Sequence, residues 1–240
     1  MDKFKIFNED SYNFITNFNE LYNISGGVDH IITDPPYNIS KDNNFSTMGR
    51  AGIDFGEWDR GEFDLFSWIK PYMELVNKNG SIIIFCAYQY LSYLCDELDK
   101  IGVDVKDILI WQKTNPMPRN RDRRYVQDME FAIWGVKKGA KWIFNRPQEV
   151  PYLRSLYSYP LCMGKERTVH PTQKNLALME NIIKVHTNEN NIILDPFMGS
   201  GTTGVAALKL NRKFIGIERN PEYFDIAKNR LMECNYSYQD

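Results

Sequence analysis

The chain lacks paired cysteines. Its four, Cys86, Cys95, Cys162 and Cys234, are scattered and show no CxxC spacing. That argues against a disulfide scaffold and for a reduced, cytoplasmic protein. Histidine is scarce. Only His30, His170 and His186 are present, and none lies at zinc-site spacing from a cysteine. No bound metal is therefore expected. Long apolar runs are missing too, with nothing near the roughly 18–20 residues of a membrane helix. The opening Met1-Asp2-Lys3-Phe4-Lys5 has no signal-peptide core. Neither internal repeats nor low-complexity segments occur. At 240 residues, with 43% hydrophobic and 25% charged residues, the chain has an ordinary globular composition. It is expected to form a single domain over 1–240.

A strong net charge is also absent, at −2. The distribution is uneven, however. Residues 112–174 carry 13 Lys and Arg against 5 Asp and Glu, a net of +8, which leaves −10 for the rest. Tyr125, Trp134, Trp142 and Phe144 are interleaved with these cations. Cations hold phosphates and aromatic faces stack on bases, so the stretch fits a nucleic-acid surface. A solvated face with a few core aromatics would look the same.

Strands and helices alternate along the chain. Apolar, β-branched runs predict strands at 5–8, 28–33, 81–85, 105–111, 129–134, 191–194 and 213–218. Apolar residues at three- and four-residue spacing predict helices at 69–76, 91–100, 176–186, 203–210 and 221–233. Alternation implies a mostly parallel sheet covered on both faces. Residues 40–60 and 137–170 show no period. Connections of that length in compact domains are usually functional.

A glycine loop stands late in the chain. Residues 191–204 read as a strand, a turn and a helix start, and Gly199, Gly201 and Gly204 satisfy G-x-G-x-x-G. Glycines let the backbone turn tightly and a ligand come close. Glu218 ends the next strand, where an acid can accept from ribose hydroxyls. A nucleoside-containing cofactor is indicated, although a packing turn can carry the same glycines. No Lys-Ser/Thr pair follows, which excludes a P-loop. A dinucleotide is disfavoured, because the loop lies about 40 residues from the C-terminal end. Asp195 directly precedes the loop and would repel a pyrophosphate but attract an ammonium group. S-adenosylmethionine fits better.

Early in the chain, the strand at 28–33 runs into Asp34-Pro35-Pro36-Tyr37. Two prolines fix two φ angles and remove two donors, so the turn presents rigid acceptors. The Asp34 carboxylate and the Pro35 carbonyl can accept the two N–H bonds of an exocyclic amino group. That favours its pyramidal, nucleophilic form and stabilises developing positive charge. The nitrogen can then attack a sulfonium methyl in line, with positioning supplying much of the rate. Tyr37 can stack on a base swung out of a duplex. No cysteine follows a proline, so the covalent route of cytosine-C5 methylation has no nucleophile.

Three motifs together carry a resemblance. Asp34-Pro35-Pro36-Tyr37, His170-Pro171-Thr172-Gln173-Lys174 and Asp195-Pro196-Phe197-Met198-Gly199-Ser200-Gly201-Thr202-Thr203 resemble the DNA amino-methyltransferases. The order, catalytic turn first and cofactor loop last, is similar to their β subgroup. The match looks most like the DNA adenine-N6 methyltransferases of type II restriction–modification systems. The resemblance implies an α/β fold: a circularly permuted Rossmann-like sheet of seven strands, mostly parallel, with an antiparallel strand last but one and helices on both faces. It places catalysis on Asp34, Pro35, Pro36 and Tyr37. It places S-adenosylmethionine against Asp10, Asp34, Lys174, Asp195, Phe197, Gly199, Ser200, Gly201, Thr202, Thr203 and Glu218. The partner implied is double-stranded DNA, held by Arg119, Arg121, Arg123, Arg124, Lys138, Lys141 and Arg146. Residues 137–168 would form a small target-recognition region and 40–57 a mobile loop over the flipped base. The short recognition region suggests a homodimer, and the system type suggests a cognate restriction endonuclease. Aspartate at position 34 favours adenine, since cytosine-N4 relatives more often carry serine. Cytosine N4, an RNA or protein amide substrate, and an inactive DNA-binding module are the alternatives.

Overall fold

Residues two apart along the central strands share a face, and that period places two cores, one on each side of a single sheet. In the computed structural model, residues 3–17, 27–37, 64–118, 122–170 and 172–236 are described. They contain eight strands: β1 (Phe4–Phe7), β2 (Val28–Thr33), β3 (Val76–Cys86), β4 (Val103–Lys113), β5 (Met129–Lys137), β6 (Leu156–Tyr159), β7 (Ile192–Asp195) and β8 (Lys213–Ile217). Six α-helices accompany them: α1 (Ser11–Thr16), α2 (Ile69–Leu75), α3 (Leu91–Lys100), α4 (Leu176–His186), α5 (Thr202–Lys209) and α6 (Pro221–Tyr236). Ile31, Ile82 and Ile84 pack against Phe14 of α1, Tyr72 of α2 and Leu94 and Leu98 of α3. Ile32, Ile83 and Phe85 point to the other side, toward Leu178 and Ile182 of α4, Ala206 of α5 and Leu231 of α6. Strands buried on both faces read as continuous apolar runs, as β2 and the second half of β3 do.

The strand order is β1-β8-β7-β2-β3-β5-β4-β6. Every pairing is parallel except those that β5 makes with β3 and β4. The doubly wound sheet with one antiparallel strand is as expected, but it has eight strands rather than seven, and β6 outside β4 leaves the antiparallel β5 last but two rather than last but one. The added strand, β6, pairs with the outer edge of β4 through Ile110↔Leu156 to Lys113↔Tyr159. It is four residues long, exposed or half-buried throughout, and reads Leu-Tyr-Ser-Tyr. An edge strand of that kind has no apolar run to announce it. Helix α1 was likewise not expected. It is six residues long and buries only Ser11 and Phe14, too little for a visible period. Among the described residues no helix is long and apolar enough to cross a membrane.

This topology positions the site. From β2 the chain winds outward through β3, whereas β7 and β8 wind the opposite way toward β1. The carboxyl ends of neighbouring β2 and β7 therefore meet at a switch in winding direction, where open α/β sheets leave a crevice. Asp34 follows β2 and Asp195 ends β7. The two motifs lie far apart in sequence and side by side in space.

Candidate active site

A cleft of about 1380 Å3 opens at those carboxyl ends. Asp10, the Asp34–Tyr37 turn, Lys174, Asp195, Phe197, Gly199, Ser200, Thr202, Thr203 and Glu218 all line it. Gly201 lies just behind the wall as the N-cap of α5, with φ at +77°. A side chain there would be strained, and its Cβ would stand 2.9 Å from Ala227 Cβ. Gly199, at φ +50°, faces the His170 ring, whose Nε2 lies 2.8 Å from where a Cβ would be. The loop thus needs glycine for backbone conformation and for close packing.

Asp195 is the most deeply buried acid of the cleft, at 2% exposure. Its Oδ1 accepts from Thr33 Oγ1 at 2.7 Å and from the Phe197 amide at 3.1 Å. Thr33 immediately precedes Asp34, so this bond ties the two motif turns together. Burial pushes the Asp195 carboxyl up to about 7 against the pull of those hydrogen bonds. No lysine or arginine among the described residues pairs with it, so a cationic ligand would be welcome. Glu218 accepts from the Gly199 amide at 3.0 Å and from the Asn220 amide at 2.8 Å, and burial raises it as well. Asp10 caps α1, with Oδ1 accepting from Tyr12 N at 2.9 Å. Phe197 meets the edge of Trp68, centroids 5.1 Å apart.

At the other end of the cleft, the Tyr37 hydroxyl donates to Asp34 Oδ1 and the Lys174 ammonium to Asp34 Oδ2. Lys174 also pairs with Glu130 Oε2 at 3.1 Å, and Lys113 with Glu130 Oε1 at 2.7 Å. Burial raises Asp34 and Lys174 opposes it. Glu130 is raised by burial too, but Lys174 and Lys113 outweigh that and hold it at about 2. Sequence reasoning overlooked Glu130 and Lys113. Both sit at the cleft ends of adjacent strands, a placement that follows only from the antiparallel course of β5.

The basic residues separate. Arg124 lines the cleft and Arg123 is exposed beside it. Lys138, Lys141 and Arg146 are not brought to the cleft. Strand β5 starts there with Met129 and runs antiparallel for nine residues, about 27 Å at the usual strand rise. Lys138 consequently pairs with Asp99 at 2.8 Å, and Asn145 is fixed to Val185 at the far end of α4. The 137–168 segment is thus split. Its first part lies at the opposite end of the strands, and β6 carries its second part back to Leu161 and Cys162 in the cleft wall. Arg119, Arg121 and the 40–57 loop lie outside the described residues. No cluster of three or more His, Cys, Asp or Glu that could hold a metal occurs among the described residues.

A family model for DNA methylases of the N6/N4 type matches residues 28–229. The chain belongs to this DNA methylase family. Type II methyltransferase M.HinfI of Haemophilus influenzae is 33% identical over 235 residues, covering 89% of this chain and 65% of that protein. The chain therefore spans just under two thirds of that relative. Type II methyltransferase M2.DpnII of Streptococcus pneumoniae is 34% identical over 221 residues, covering 85% of this chain and 82% of the relative. A crystal structure of an M1.HpyAVI–SAM complex matches with a TM-score of 0.78 at 50% identity, over 95% of this chain and 98% of that one. The cytosine-N4-specific PvuII DNA methyltransferase shares the fold, with a TM-score of 0.70 at 17% identity, over 95% and 86% of the two chains.

Proposed function

We propose that this member of the family transfers a methyl group from S-adenosylmethionine to the exocyclic N6 amino group of adenine in double-stranded DNA. One observation carries the reading. The Asp-Pro-Pro-Tyr turn and the acid–glycine loop open into a single cleft, joined through Thr33 and Asp195. The cleft volume, about 1380 Å3, exceeds the roughly 300–1,000 Å3 of a single small-molecule site. Cofactor and flipped base can lie in it side by side.

Bound there, S-adenosylmethionine supplies an activated methyl on its sulfonium. The buried Asp195 carboxylate would take its ammonium, Glu218 its ribose hydroxyls, and the wall of Phe197, Gly199, Ser200, Thr202 and Thr203 its methionine part. Asp34 and the Pro35 carbonyl accept the two N–H bonds of the target amine, and Pro36 stiffens the turn. The Tyr37 hydroxyl orients the carboxylate by donating to Oδ1. Cys86 lines the cleft, but burial pushes its thiol up to about 12, so no thiolate is ready for attack at cytosine C5.

Arg123, Arg124 and the returning part of the 137–168 segment are the DNA-facing surface we favour. The short recognition segment supports a homodimer, and the type II relatives are the ground for proposing a cognate restriction endonuclease. A DNA substrate puts the protein in the cytoplasm. The test is methyl transfer from tritiated S-adenosylmethionine to unmodified DNA, followed by nucleoside mass spectrometry. N6-methyladenine is the expected product. N4-methylcytosine would overturn the base assignment, and no label with cofactor bound would overturn DNA as substrate. Asp34→Ala is expected to abolish transfer while cofactor still binds.

A further inference from the structure

We propose that Glu130 is a positioning residue for methyl transfer: it gives the Lys174 ammonium a second carboxylate to rest on, so that Lys174 can release Asp34 when the target amino group arrives. The inference rests on the reading of Asp34 as the acceptor for that amine. Five side chains from four parts of the fold form one chain of contacts. Tyr37 donates to Asp34, Asp34 accepts from Lys174, Lys174 meets Glu130 at 3.1 Å, and Glu130 meets Lys113 at 2.7 Å. The Lys174 side chain is only 8% exposed. Its ammonium lies 5.0 Å from the centre of the Phe85 ring and 5.8 Å from that of Tyr37.

Asp34 Oδ2 already accepts from Lys174. An incoming amine meets a carboxylate whose two oxygens each already hold a donor, Tyr37 on Oδ1 and Lys174 on Oδ2, so the ammonium and the amine compete for its negative charge. A buried cation that gave up its only anion would be strongly unfavourable. Glu130 removes that obstacle, because Lys174 keeps a carboxylate when it leaves Asp34. Lys113 keeps Glu130 ionised for this purpose and balances the set at two carboxylates and two ammoniums. With a neutral residue at 130, Lys174 would have Asp34 alone and hold it more tightly.

The experiment uses the full chain with unmodified DNA and saturating S-adenosylmethionine. Glu130→Gln is expected to lower kcat/KM for DNA by about 100-fold and to leave cofactor affinity unchanged. Adding Lys174→Met to Glu130→Gln should recover part of the loss, since the competing ammonium is gone, and Glu130→Asp should retain most of the activity. The pH profile separates this role from a structural one. The groups facing Asp34 are Tyr37 on its own turn, Lys174 before α4, Glu130 on β5, Cys86 at the end of β3 and Asp195 on β7. Of these, Glu130 raises Asp34 and Lys174 lowers it. The acid limb should therefore move to lower pH in Glu130→Gln and to higher pH in Lys174→Met. Near-normal turnover in Glu130→Gln would overturn the proposal. So would an unmoved acid limb, or a double variant as poor as the product of the two single losses. Active Asp34→Ala would sink the underlying reading instead. Inactive Asp34→Ala beside normal Glu130→Gln would sink this inference alone.

Discussion

Lowering the pH from 7 to 6 should weaken cofactor binding, and Asp195 sets the size of the effect. Burial lifts its carboxyl to about 7, while Thr33, Thr203 and the Phe197 amide pull it down. A cationic amino group binds only the ionised form. For a group titrating at 7, about half is ionised at pH 7 and about a tenth at pH 6. Affinity should fall about fivefold over that unit, roughly 1 kcal/mol. The sign follows from linkage. Pairing with an ammonium returns the carboxyl toward its ordinary value, so the complex holds fewer protons than its parts, and binding at pH 6 releases about 0.9 proton per cofactor. The amino group of the ligand, titrating at about 7.7–8.0, stays largely cationic throughout. Calorimetry in two buffers of unlike ionisation heat counts those protons directly. Glu218 is raised by burial too, so the Asp195→Asn variant decides which acid responds. It should bind weakly, with most of the proton release gone. An affinity independent of pH between 6 and 7, or the same release from Asp195→Asn, would refute the assignment of the ammonium to Asp195.

Three further outcomes follow from the packing and charges. Gly201→Ala places a Cβ 2.9 Å from Ala227 Cβ and 3.2 Å from Ala227 Cα, at φ +77°. Left-handed backbone at about 1–2 kcal/mol and crowding at about 1–3 kcal/mol predict a loss of about 2–5 kcal/mol in urea unfolding, and a change below about 1 would contradict it. His186 is 1% exposed, neither ring nitrogen has a hydrogen-bond partner among the described residues, and burial lowers it to about 3. The unfolded chain takes up that proton near 6.5, so stability falls as pH drops from about 6.5 toward 3, by on the order of 4 kcal/mol. His186→Phe, in contact with Trp134 and Phe144, should shift acid unfolding to lower pH, and an unchanged midpoint would dismiss the explanation. Replacing exposed Arg123 and Arg124 with Ala should make the slope of log affinity against log salt shallower by about 2. An equal slope would remove both from the DNA surface.

The features legible in the amino-acid sequence are those whose physics is local. The β2 run into Asp34-Pro35-Pro36-Tyr37 and the β7 run into the glycine loop each declare themselves within about ten residues, because a buried strand needs a continuous apolar run and a rigid turn needs its prolines and glycines. Strand β6 was invisible because an edge strand needs neither. The basic stretch divides in space for a related reason. Charge along a sequence carries no direction, and the antiparallel β5 takes Lys138 to the end of the strands away from the cleft while leaving Glu130 at the cleft end. The same reversal explains why Glu130 escaped notice. In sequence it is one acid within a basic segment, and the bland reading is a solvated counter-charge. Its significance comes from β5 lying between β3 and β4, which sets it beside Lys113 and opposite the Lys174 that precedes α4. A motif states which residues a reaction needs. The sheet order decides which charges those residues must live with, and in the proposed reaction Asp34 accepts the amine more readily when the neighbouring ammonium has a second carboxylate to rest on.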